Sequence, residues 1–206
     1  MKELDWANLP FGYMKTDYNV RIYYRNEQWG ELEVCSEETI PMHMAATCLH
    51  YGQEAFEGLK AFRGKDGKVR IFRLEENAAR LQSTCRGILM PELSTERFKE
   101  AILKVVKLNE RFIPPYESGA SLYIRPLLVG TGAQVGVHPA SEYLFVVFVT
   151  PVGPFFKGGF STPANFCLGR AGPRLGLTLR VDPLPIRMSV SANSTVLHRW
   201  VPVLIR

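Results

Sequence analysis

Apolar and polar positions alternate over Asn19–Arg25, where Tyr, Ile and Val dominate, and this predicts a strand with one buried face. Residues 26–30 read as a turn and 31–35 as the returning strand. Two further strand-like runs, 59–63 and 69–73, flank Gly64-Lys65-Asp66-Gly67-Lys68. An Asp-Gly step between such runs predicts a hairpin, because glycine accepts the positive φ that a tight turn needs. From Leu74 the period changes. Leu74, Ala78, Leu81, Cys85 and Ile88 recur at helical spacing, and Glu75 and Glu76 suit the positive end of a helix dipole. Pro91 ends this helix. Ser94 or Thr95 caps a second one, with Phe98, Ile102, Val105, Val106 and Leu108 as its apolar stripe. Residues 121–129 and 143–150 are two more strands, and the almost unbroken apolar character of the second predicts a central position. Locally pairing strands, then two helices, then two strands predict an α+β fold: two layers, with a mostly antiparallel sheet and helices.

Composition changes this picture in one place. Of 206 residues, 46% are hydrophobic and 22% charged, which excludes a disordered chain, a collagen or a small disulfide scaffold. The net charge of +5 is not spread evenly. Residues 1–157 carry 19 basic and 19 acidic groups, whereas 158–206 carry six Arg, no Lys and the single acid Asp182. The expected organisation is therefore one domain with its linker edge over 1–157 and an Arg- and Pro-rich tail over 158–206. Such a tail raises nucleic-acid binding as a reading. It lacks the interleaved aromatic residues of a single-strand platform, so no nucleic-acid partner is expected. The longest apolar run, 144–149, is too short for a bilayer, and no membrane partner is expected. The charged opening residues and the absence of Cys-x-x-Cys spacing point to reduced thiols and a cytoplasmic setting.

Gly130-x-Gly132-x-x-x-Gly136 follows a strand, as dinucleotide-binding glycines do. Val137-His138-Pro139 then leaves no room for the helix that motif requires, so a glycine-rich loop is expected. The four histidines are scattered without metal-ligand spacing, and no metal is expected.

Three segments carry more information: Leu49-His50-Tyr51-Gly52-Gln53-Glu54-Ala55-Phe56-Glu57-Gly58-Leu59-Lys60-Ala61-Phe62-Arg63, Phe72-Arg73-Leu74-x-x-Asn77-x-x-Arg80-Leu81, and Ser121-Leu122-Tyr123-Ile124-Arg125-Pro126. Gly136-Val137-x-Pro139 and Pro151-Val152-Gly153-Pro154-Phe155-Phe156 accompany them. In this order and spacing, residues 8–166 resemble the N-terminal domain of branched-chain amino acid aminotransferases. These are fold-type-IV enzymes that use pyridoxal 5'-phosphate (PLP). The resemblance implies transfer of an amino group from Leu, Ile or Val to 2-oxoglutarate, with small amino acids and 2-oxo acids as partners. It implies that Arg80 binds the cofactor phosphate, and that Tyr51, Phe56, Tyr123, Arg125 and an N-terminal aromatic matching Phe11 line the substrate side. It further implies a homodimer in which the 132–139 loop crosses to the partner's site, bringing Val137 to substrate there. In the family, a lysine in a K-x-G-G-N-Y type segment of a second domain bonds the cofactor covalently. The last lysine here is Lys157 and no such segment follows, so no catalytic lysine is assigned. The 206-residue chain by itself is expected to be inactive. The alternatives are a non-catalytic domain that pairs with a complete protomer, or another fold-type-IV activity such as D-amino acid aminotransferase or aminodeoxychorismate lyase.

Overall fold

Strands β7 (Ser121–Gly130) and β8 (Tyr143–Val152) form a ten-residue antiparallel pair at the middle of the sheet, with Ser121 opposite Val152 and Gly130 opposite Tyr143. This computed structural model describes residues 5–153, and the backbone alone of 180–181 and 184–185. The chain divides into two compact units, residues 1–159 and 160–206. In the second, β9 (Arg180–Val181) pairs with β10 (Leu184–Pro185). Lys157 and the rest of the segments expected as linker and tail lie outside the described residues.

The expected α+β architecture is present, and among the described residues every strand pair is antiparallel. β1 (Asn19–Arg25) lies along β8, and β2 (Gln28–Trp29) and β3 (Glu33–Cys35) pair with its free edge. On the other side of β7 run β4 (Glu54–Phe56) and β5 (Leu59–Arg63), and β6 (Val69–Ile71) closes that end. The turn after β1 is tighter than expected. Asn26 and Glu27 alone make it, with φ of 49° and 60°, the left-handed pair that a two-residue hairpin requires.

β4 and β5 are one line of chain broken by chemistry. Phe56 faces Leu127 and Leu59 faces Ile124, so the register runs on unchanged across Glu57 and Gly58. Opposite the break stands Pro126, which has no N–H to give to the ladder. Its carbonyl still accepts from the Glu57 N–H at 2.9 Å.

Two longer helices cover one face. α2 (Leu74–Gly87) buries Leu74, Ala78, Leu81 and Cys85 as predicted, but it ends before Ile88, and Leu89 takes a positive φ ahead of Pro91. α3 (Thr95–Leu108) is capped by Ser94, whose Oγ accepts from the Arg97 N–H at 3.2 Å. Phe98, Ile102, Val105 and Val106 pack with Ile22, Ile124, Phe145 and Val147 in the main core. The short helix α1 (Thr47–Tyr51) and β4 were not distinguished by hydrophobic period, since three to five residues are too few to display one.

Among the described residues, one segment lies along the opposite face of the sheet. Residues 10–18 run beside β8 there, held by the Met14 N–H on Thr150 Oγ1 at 2.8 Å, the Thr16 hydroxyl on the Val149 carbonyl at 3.1 Å and the Gly153 N–H on the Pro10 carbonyl at 3.3 Å. Asn109, fully buried at the end of α3, fixes the same segment. Its Oδ1 accepts from the Asp17 and Tyr18 N–H groups, and its Nδ2 donates to the Tyr18 and Val105 carbonyls.

Candidate functional site

Strand alternation sorts the residues of β4, β5 and β7 onto two faces. Ala55, Glu57 and Leu59 point toward the helices, whereas Phe56, Gly58 and Lys60 point to the open face. On β7, Leu122 and Ile124 enter the core, and Tyr123 and Arg125 stand beside Phe56.

On the open face four of the expected residues come together. The Arg125 guanidinium lies 4.5 Å from the Phe56 ring centroid and 5.2 Å from that of Tyr123. Its Nε and Nη2 both donate to the Tyr123 hydroxyl, at 3.2 and 3.1 Å. Phe11 meets Tyr123 edge to face, with centroids 5.7 Å apart. The result is a cation set against two rings, with Phe11 packed on the second of them; Phe56 is 54% exposed and Phe11 43% exposed. Such a surface suits a ligand with a carboxylate and an aliphatic chain. Lys60 stands directly across from Tyr123, and burial lowers its ammonium below the usual lysine range.

Gly58 permits this arrangement. A Cβ there would fall 2.6 Å from the Tyr123 hydroxyl oxygen. Gly58→Ala is expected to cost at most about 1–2 kcal/mol of stability, since Tyr123 can swing away. It is also expected to release Arg125 from its hydroxyl partner. Thermal unfolding, together with the Arg125 side-chain NMR signals, checks both parts.

Tyr51 and Val137 lie elsewhere. The Tyr51 hydroxyl donates to the Val135 carbonyl, tying α1 to the glycine-rich loop. That loop runs from Thr131 to Glu142 without a helix, and Ala46 and Ala133 bridge at its base. Val135 and Val137 project from it, each 85% exposed.

Arg80 sits on the helix side, on α2, and it already has a partner. Its Nε donates to Glu57 Oε1 at 2.7 Å and its Nη2 to Glu57 Oε2. Asn77, one turn earlier on α2, donates to Oε2 at 2.8 Å. Glu57 is 3% exposed and the Arg80 side chain 33%. The Glu57 hydrogen bonds raise the Arg80 guanidinium above its ordinary range. The pair uses one two-donor edge of the guanidinium. The Nη1–Nη2 edge remains, and a planar guanidinium presents it as a second fork for an oxyanion. Arg80 therefore fits the phosphate of a PLP-type group through its outer edge.

Glu57 and Asn77 had no role in the sequence reading, although both lie inside its motifs. Two signals point to them. An acid at a core-facing strand position must be paired, and Asn77 and Arg80, three apart on one helix, share a face.

No family model matches the chain. A Helicobacter pylori branched-chain-amino-acid aminotransferase is 50% identical over 159 residues, covering 77% of this chain and 47% of that protein. The chain is a homologue of branched-chain amino acid aminotransferases. The Haemophilus influenzae aminotransferase is 44% identical over 203 residues, covering 94% of this chain and 59% of its own length. That alignment continues past residue 166, where the motif-bearing resemblance ends. The chain thus spans about half the length of these aminotransferases. The fold agrees: the crystal structure of the Escherichia coli branched-chain aminotransferase superposes with a TM-score of 0.54 at 25% identity, over 68% of this chain and 41% of that one. Among the described residues, no helix is long and apolar enough to cross a membrane.

Proposed function

We propose that residues 5–153 supply the phosphate anchor and the substrate face of a PLP-dependent branched-chain transaminase. The reaction is transfer of the amino group of Leu, Ile or Val to 2-oxoglutarate. The observation that carries the reading is the Arg125 guanidinium held against the Phe56 and Tyr123 rings, with Phe11 packed edge to face on Tyr123. PLP, when bound, supplies the electron sink that lets the substrate Cα lose its proton. The chain's own residues bind and orient. Arg80 offers its outer edge to the phosphate, and Arg125 offers N–H donors to a carboxylate. Phe11 and Phe56 hold an aliphatic side chain and keep water from it.

The exposed Val135 and Val137 support the second part of the proposal, a homodimer in which this loop meets the partner's site. A cytoplasmic setting belongs to the same reading.

The test is an NMR titration of the chain with 4-methylpentanoate, a branched acid without an amino group. Saturable shifts at Phe56, Tyr123 and Arg125 are expected, and they should vanish in Arg125→Ala. Shifts confined to other residues, or none at all, would contradict the reading.

A further inference from the structure

We propose that Glu57 is a positioning residue: it occupies the inner edge of the Arg80 guanidinium so that the outer edge is held ready for a phosphate. This rests on the reading of Arg80 as the phosphate anchor. The carboxylate is nearly without solvent contact, and it accepts from Arg80 Nε, Arg80 Nη2 and Asn77 Nδ2. Its own backbone, between β4 and β5, is pinned by the Glu57 N–H on the Pro126 carbonyl at 2.9 Å. Two-point contact on one edge fixes the plane of the guanidinium, not merely its location. An arginine free on a helix surface samples many rotamers and must be ordered when its ligand arrives.

The carboxylate partly offsets the positive charge that a phosphate would feel. What it gives in return is direction. The exposure of the two groups agrees with this division, because solvent reaches the outer part of Arg80 and not Glu57. The position of Glu57 adds a consequence. Phe56, its neighbour in the chain, stacks with Arg125 on the other face, and Gly58 admits the Tyr123 hydroxyl. Three consecutive residues therefore tie the arginine for the phosphate to the surface for the substrate, through one strand segment whose register is fixed on β7.

The experiment uses the full 206-residue chain labelled with nitrogen-15, with inorganic phosphate as the probe. The Arg80 Nε–H signal is assigned through its loss in Arg80→Lys. In the unsubstituted chain this proton is expected to exchange slowly with water, and its shift should saturate with phosphate. In Glu57→Gln, exchange should be faster and half-saturation about tenfold higher, the scale of a lost charge-assisted hydrogen bond. Glu57→Asp, which keeps the charge, should recover part of the response. Asn77→Ala leaves the ion pair in place and should raise half-saturation about threefold, as loss of one neutral donor would. Should Glu57→Gln fail to fold, Asn77→Ala decides. A lower unfolding midpoint with unchanged phosphate half-saturation means a purely structural ion pair and overturns the proposal. Absence of any phosphate response at Arg80 in the unsubstituted chain overturns the reading of Arg80 itself, and the proposal with it.

Discussion

Arg80→Ala is expected to destabilise the chain by about 3 kcal/mol, although it removes a side chain from a helix surface. Ordinary surface substitutions change stability by only about half a kcal/mol. The difference lies in what is left behind. Glu57 stays at 3% exposure with Asn77 as its one remaining side-chain donor. A buried carboxylate stripped of its cation loses the interaction that offset its desolvation. The estimate sits at the lower end of the range for broken buried pairs because Arg80 is itself 33% exposed, so water can partly replace it. Urea unfolding followed by circular dichroism measures the change. Arg80→Lys restores a charge but not the two-donor edge, and it should fall between the two. A loss below about half a kcal/mol for Arg80→Ala, the size of an ordinary surface change, would show that the pair contributes little.

The second large effect is expected far from the charged pair. Asn109→Ala removes a side chain that makes four hydrogen bonds while fully buried. Two N–H groups and two carbonyls lose a partner, and a net loss of about 3 kcal/mol follows from the cost of such orphaned groups. The consequence should reach the open face. Asn109 holds residues 17 and 18, and the same segment carries Phe11 to the Tyr123 ring. Hydrogen exchange should therefore quicken along residues 10–18 before it does in β7 or β8. Equal protection of that segment in both proteins would contradict the assigned role.

The core was legible in the sequence because its signals are long and periodic. The α2 stripe of Leu74, Ala78, Leu81 and Cys85 and the Ser94 cap of α3 emerged as read. The apolar run of β8 did mark a central strand. The shorter pieces were hidden for physical reasons. Asn26 and Glu27 take left-handed backbone without a glycine, so a longer turn was expected. Pro126 lies inside the strand expected over 121–129, and it is tolerated where β4 gives way to β5 and only its carbonyl is needed.

The site was legible in part. Phe11, Phe56, Tyr123 and Arg125 meet on one face because strand alternation and a shared register place them there. Arg80 was singled out as an anion binder, and its engagement with Glu57 was not foreseen. That pairing depends on two residues 23 apart in the chain meeting between a helix and the sheet, which no local pattern encodes. Tyr51 was grouped with the substrate side and here bonds the glycine-rich loop, while Val137, expected to reach a partner's site, stands exposed on that loop.

The central claim is that this half of an aminotransferase fold recognises a phosphorylated cofactor through Arg80. The most direct measurement compares equilibrium binding of PLP and of pyridoxal, which lacks the phosphate, to the full chain and to Arg80→Lys. The expected result is at least about tenfold tighter binding of PLP, with most of that advantage gone in Arg80→Lys, because a lysine offers a point charge in place of a fork. Equal affinity for the two compounds, or an advantage that Arg80→Lys leaves intact, would contradict it.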